Sequence, residues 1–213
     1  MPSLLVKICG LNTPASLDAA IMARADYAGF VFFPRSPRHL ALTDAKRLAD
    51  RAHGHIRRVG LFVDPDDASL AETAGAGFLD AIQLHGEESP ERCARVKAQF
   101  GLPVWKALPV AGKTDLDRAA AYRDAVDLIL FDAKTPKGTL PGGMGLTFDW
   151  SLLTSFKTGI AWGLAGGLTP DNVADAVRQT GAPLVDTSSG VETTPGVKDV
   201  DKIVAFCKAV SQC

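Results

Sequence analysis

The sequence is short of the features that mark several whole classes of protein. Only four cysteines occur in 213 residues, Cys9, Cys93, Cys207 and Cys213, with no pair at zinc-ligand spacing and nothing resembling a disulfide framework. They suit a reducing cytoplasm. A charge surplus is lacking too: 23 Lys and Arg face 24 Asp and Glu, so the formal net charge of -1 sets up no strong field to draw nucleic acid or an acidic membrane. No apolar run is long enough to span a bilayer, and Met1-Pro2-Ser3 enters an apolar stretch without the basic and long hydrophobic regions of a secretory signal. The expectation is a soluble, unprocessed protein that handles small molecules.

No linker or low-complexity stretch divides the chain, so residues 1–213 read as one domain, and with 46% hydrophobic residues they can bury a full core. Eight short apolar, β-branched runs recur: Leu4 to Ile8, Ala28 to Phe33, Arg58 to Val63, Ala81 to Leu84, Val104 to Leu108, Leu128 to Phe131, Ile160 to Leu164 and Pro183 to Val185. Helical periodicity fills the gaps, with Thr43 placed to cap one helix and Pro170 suited to the first turn of another. Repeated strand-helix-strand units close into a barrel or spread into an open doubly wound sheet. The first strand is not followed by G-x-G-x-x-G, and eight short units favour a single-domain (β/α)8 TIM barrel.

Such a barrel builds its site from the loops beyond the C-terminal strand ends, and here those positions are polar and glycine-rich. Gly166-Gly167 after the seventh strand and Ser188-Ser189-Gly190 after the eighth offer side-chain-free backbone and hydroxyls to an anion. Glycines at strand ends also serve ordinary turns, but two adjacent cases at the usual phosphate site of barrels point to a phosphorylated ligand. Cys9 is either a small core filler or a base, and Lys7, two residues earlier on the same strand face, would favour its thiolate. Asp132 ends an apolar run where low dielectric favours the protonated form, which suits a general acid; it also fits as a helix cap or a partner for Lys134. Arg35 and Arg38 flank Ser36-Pro37, and either guanidinium can grip a carboxylate on two prongs unless it is merely solvated. Gln83 and His85 share a face at the end of the fourth strand, where His85 is a site residue or a structural histidine.

Several blocks carry a resemblance. Lys7-Ile8-Cys9-Gly10-Leu11, Gly29 through Arg38, Gln83-Leu84-His85-Gly86-Glu87, Phe131-Asp132, Gly142-Gly143-Met144-Gly145, Ala165-Gly166-Gly167-Leu168 and Asp186 through Glu192 resemble, in order, the blocks of the phosphoribosylanthranilate isomerase family. The resemblance spans essentially the whole chain. It implies an Amadori rearrangement of an anthranilate-bearing ribose phosphate in tryptophan biosynthesis, with no cofactor and no metal. It also implies Cys9 as general base, Asp132 as general acid and Arg38 as the anthranilate carboxylate's partner. Lys7, Gln83, His85, Gly143, Gly145 and Asp186 would line the substrate, Asp186 positioning it or steadying charge on the anthranilate nitrogen. The loop Thr135 through Pro141, where this sequence departs most from the pattern, is read as a lid. The histidine-pathway isomerase, which uses two aspartates, and a non-catalytic sugar-phosphate sensor are the alternatives. A monomer is expected.

Overall fold

The computed structural model describes residues 4–136, 142–154, 156 and 159–213. In chain order the elements are β1 (Leu5–Cys9), α1 (Pro14–Met22), β2 (Tyr27–Val31), α2 (Leu42–Ala52), β3 (Arg57–Phe62), α3 (Asp67–Thr73), β4 (Ala81–Leu84), α4 (Pro90–Phe100), β5 (Val104–Val110), α5 (Lys113–Asp117), β6 (Leu128–Ala133), β7 (Ala161–Leu164), α6 (Val173–Thr180), β8 (Leu184–Thr187), β9 (Glu192–Thr194), β10 (Val197–Lys198) and α7 (Val200–Val210). Strands β1 to β8 are parallel to their neighbours and close into a barrel, β8 pairing back onto β1 with Lys7 opposite Asp186. The closed eight-strand barrel expected from the sequence is therefore the fold.

Alternation along each strand splits the apolar residues into two sets. One set, including Val6, Ile8, Phe30, Ile82 and Phe131, packs against the helices in the large outer core. The other fills the barrel: Tyr27, Val59, Ala81, Trp105, Ala107, Leu130 and Leu184 form its lower plug, and Cys9, Val31 and Leu61 form a smaller cluster above. The site thus has an apolar floor. Tyr27 and Trp105 meet edge to face across the plug at 4.8 Å.

Strand ends differ from the sequence expectation by one or two residues, and the difference matters for the site. Cys9, Asp132 and Asp186 lie inside the hydrogen-bonded ladder rather than beyond it. Their side chains consequently share the rigidity of the barrel wall. Thr43 is not the cap of α2, which starts at Leu42 after Ala41 with no side-chain cap bond. Pro170 likewise precedes its helix: Asn172 accepts from Thr169 N at 2.8 Å and donates to the Gly167 carbonyl at 2.9 Å, forming a turn that delays α6 until Val173. Residues 137–141 of the expected lid lie outside the described residues. Among the described residues no helix is long and apolar enough to cross a membrane.

Candidate active site

A cavity of about 700 Å³, counted out to its solvent opening, sits at the C-terminal mouth of the barrel. That is within the roughly 300–1,000 Å³ usual for small-molecule sites. It is lined by Cys9, Arg38, Gln83, His85, Asp132, Gly143, Asp186, Gly166, Gly167, Ser188, Ser189 and Gly190. Twelve of the fourteen expected site residues therefore face one space. Lys7 does not line it, being fully buried beneath, and Gly145 lines an adjoining groove with Gly167, Ser189 and Gly190 instead. Arg35 is exposed and lines neither.

Cys9 closes β1 with only 5% of its surface exposed, yet that surface opens into the cavity. Burial pushes its thiol above the ordinary range; Lys7 and Lys198 pull the other way, and Asp186 adds to the rise. Lys7 favours the thiolate as the sequence suggests, and burial outweighs it. The Lys7 ammonium is committed to Asp186 at 2.9 Å. Although burial works against that ammonium, Asp186 and then Cys9 outweigh it and hold Lys7 above its usual value. The second oxygen of Asp186, Oδ1, is buried and has no partner among the described residues.

Asp132 lies across the mouth on β6, where Oδ1 accepts from the Ala133 N–H at 2.8 Å and Oδ2 is 3.1 Å from His85 Nε2. It is neither a helix cap nor the partner of Lys134, whose ammonium reaches Asp115 at 3.3 Å. Gln83 Nε2 stands 3.4 Å from His85 Nδ1, so Gln83, His85 and Asp132 form a chain along one wall.

Four further charged groups support this wall, and reasoning from sequence alone did not find them. Glu192 receives Arg38 on two prongs, Nε at 2.8 Å and Nη2 at 2.7 Å, and Lys198 at 2.6 Å. Lys198 also donates to the Ser188 carbonyl at 3.0 Å, tying the hairpin β9–β10 to the loop after β8. Glu88 accepts from Gly86 N and Asp64 N, each at 2.9 Å, and pairs with the buried Lys106 at 3.0 Å. The one signal was local: Lys106 is a lone charge inside the apolar run Val104–Val110, as Lys7 is in Leu5–Cys9.

At the other end of the cavity Gly166 and Gly167 adopt φ of 85° and 63°, conformations that side chains disfavour. A Cβ on Gly166 would stand 2.5 Å from Ala133 N and 2.9 Å from Asp132 Oδ1, and one on Gly190 would run into the Leu168 carbonyl oxygen. These glycines are required by close approach of the seventh and eighth loops. What remains exposed there is backbone and the two serines.

Similarity to known proteins agrees with this geometry. The family described as N-(5'-phosphoribosyl)anthranilate (PRA) isomerase matches residues 6–209. N-(5'-phosphoribosyl)anthranilate isomerase of Paramagnetospirillum magneticum is 54% identical over 96% of this chain and 95% of its own. The crystal structure of phosphoribosyl anthranilate isomerase from Thermotoga maritima superposes with a TM-score of 0.88 at 37% identity, over 99% of this chain and all of that one. A further isomerase structure, solved in complex with reduced 1-(o-carboxyphenylamino)-1-deoxyribulose 5-phosphate, gives 0.84 at 34% identity over 99% of this chain and 100% of its own. With a shared fold and full-length sequence similarity, this chain belongs to the N-(5'-phosphoribosyl)anthranilate isomerase family.

Proposed function

We propose that this chain catalyses the Amadori rearrangement of N-(5'-phosphoribosyl)anthranilate to 1-(2-carboxyphenylamino)-1-deoxyribulose 5-phosphate, a step of tryptophan biosynthesis. The observation that carries the reading is that Cys9, Asp132, Arg38 and the glycine-serine loops, drawn from five parts of the chain, line one cavity. A carboxyl at the wall protonates the furanose ring oxygen, and the ring opens to a protonated Schiff base. Electron withdrawal by that group acidifies the C–H at sugar carbon 2, and the Cys9 thiolate removes the proton. The enolamine then moves a proton from its hydroxyl to carbon 1 to give the ketone, so the reaction is an internal redox exchange that needs no outside electrons.

Arg38 takes the anthranilate carboxylate, and residues 166, 167 and 188 to 190 take the phosphate. His85, Gln83 and Gly143 border the substrate between them, Asp186 Oδ1 accepts from a substrate N–H or hydroxyl, and Lys7 fixes Asp186 from below. Since Cys9 rather than an aspartate ends β1, the two-aspartate histidine-pathway chemistry fits less well. The four free thiols support a reducing cytoplasm.

Freshly made phosphoribosylanthranilate mixed with the purified protein tests this directly. Loss of anthranilate-type fluorescence with formation of the ketose phosphate, competed by a phosphate-bearing product analogue, is the expected result. Binding without turnover would leave a sugar-phosphate sensor in place of an isomerase.

A further inference from the structure

We propose that His85 is the proton reservoir of this site: it stores the proton that Asp132 delivers to the ring oxygen, and Gln83 follows its protonation by turning its amide. The proposal rests on the isomerase reading above and goes beyond it by giving His85 and Gln83 tasks other than bordering the substrate.

The argument starts from Asp132. Both of its oxygens face hydrogen-bond donors, Oδ1 the Ala133 amide at 2.8 Å and Oδ2 the ring nitrogen Nε2 of His85 at 3.1 Å. With both oxygens facing donors, the proton that Asp132 hands to the substrate has to arrive from one of those partners. The proton source nearest to it on this wall is the imidazole. A doubly protonated His85 passes its Nε2 proton to Oδ2, the resulting carboxylic acid protonates the ring oxygen, and the imidazole is left neutral. One proton moves along the chain, and the proton collected by Cys9 at carbon 2 returns through solvent before the next turnover.

Gln83 supplies the second observation. It is 1% exposed, it presents its amide nitrogen to His85 Nδ1, and its Oε1 is buried with no partner among the described residues. An orphaned buried carbonyl costs about 1–3 kcal/mol unless some state of the protein uses it. With the amide nitrogen facing it, Nδ1 serves as the acceptor. Once Nδ1 gains a proton, a half-turn of the amide brings Oε1 to meet it. The unpaired oxygen is therefore the acceptor required by the loaded reservoir.

Asp132 on β6 stands 3.1 Å from the ring nitrogen, and Asp186 on β8 lines the same cavity. Of the nearby cations, Lys7 on β1 is bound to Asp186, Arg38 from the loop after β2 is bound to Glu192, and Lys106 on β5 is bound to Glu88. Gly142 closes over the imidazole from the loop after β6. The ring is held from behind by its own amide, which donates to the Phe62 carbonyl at 2.8 Å, and by the Glu88 clamp on Gly86.

The test compares His85→Ala, His85→Gln and Asp132→Asn in the turnover assay, with and without added imidazoles of graded basicity. We expect kcat of His85→Ala and of His85→Gln to fall about 10²-fold with little change in KM, since glutamine keeps a hydrogen-bond donor but stores no proton. Added imidazole should restore His85→Ala, to a degree set by the basicity of the imidazole used, and should not restore Asp132→Asn. Near-normal kcat in His85→Gln, or rescue indifferent to basicity, would overturn the proposal. Wild-type protein that does not turn over would overturn the isomerase reading instead. Should His85→Ala not fold, the kcat and KM of His85→Gln alone decide.

Discussion

The guanidinium of Arg38 and the carboxylate of Glu192, 154 residues apart, meet on two prongs at 2.8 and 2.7 Å. The same carboxylate takes Lys198 at 2.6 Å, so one buried anion sits between two cations. Arg38 is thereby presented to the cavity in a fixed orientation, with Nη2 also donating to the Gly143 carbonyl at 3.1 Å. A guanidinium aimed in advance loses less freedom when it binds a carboxylate.

Removing Arg38 should act on binding. A hydrogen bond to a charged group contributes roughly 1.5–3 kcal/mol, so Arg38→Ala is expected to raise KM by about 10- to 100-fold with a smaller effect on kcat. Steady-state kinetics check this; an unchanged KM would move the anthranilate carboxylate to another part of the cavity.

Glu192 should act on stability and on its pH dependence. Burial works against its charge, but Arg38 and Lys198 outweigh that and hold its carboxyl below the usual glutamate range. A carboxyl lowered on folding adds stability that is complete above the unfolded value, about pH 4.3, and is lost as pH falls through the lowered folded value. Thermal melts across that acid range should converge for wild type and Glu192→Gln as the pH drops, with wild type more stable near neutrality. Glu192→Ala, which strands two buried cations, should cost about 3–5 kcal/mol in urea denaturation.

Gly29 marks how closely the base is packed. A Cβ there would stand 2.9 Å from Cys9 Cα, 3.0 Å from Cys9 Sγ and 3.2 Å from Lys7 Nζ. Gly29→Ala is expected to displace the thiol, lowering kcat/KM at least about 10-fold for a stability cost of roughly 1–3 kcal/mol. Kinetics and denaturation on the same sample separate the two effects.

The raised thiol of Cys9 also has a chemical signature. Since only thiolate is alkylated, iodoacetamide should modify Cys9 slowly at neutral pH and speed up on the alkaline side of the ordinary thiol range of about 8.5. Peptide mapping of the modified protein against pH reads this out. Rapid labelling of Cys9 at pH 7 would show that the lysines dominate over burial.

What the sequence made legible follows from how far each interaction reaches along the chain. Strand cores such as Leu128–Phe131 are visible because burial on both faces leaves an unbroken apolar run. Their ends are not, because Cys9, Asp132 and Asp186 are polar or small and look like loop until the ladder is seen to include them. The glycine loops and the lone cysteine and aspartate of the mouth stand out by type and position. The ion pairs behind them do not: Arg38 with Glu192 joins residues 154 apart, and nothing local to Glu192 or Glu88 names its partner. Thr43 failed as a cap because α2 begins one residue before it.

The Lys106–Glu88 pair should show the asymmetry of buried charge. Both side chains are 2% exposed, and the carboxylate holds the turns after β3 and β4. Lys106→Met alone leaves a buried anion and is expected to cost about 3–5 kcal/mol, whereas a well-packed apolar replacement of both partners should cost less than the sum of the single changes. Urea denaturation of the two single variants and the double variant measures the coupling.

The two-group mechanism is tested most directly by single-turnover kinetics of Cys9→Ser and Asp132→Asn with phosphoribosylanthranilate. Each variant should bind substrate near normally and lose about 10²-fold or more in the chemical step, the usual scale for removing an acid or a base. A chemical step at wild-type speed in either variant would contradict the assignment of that group.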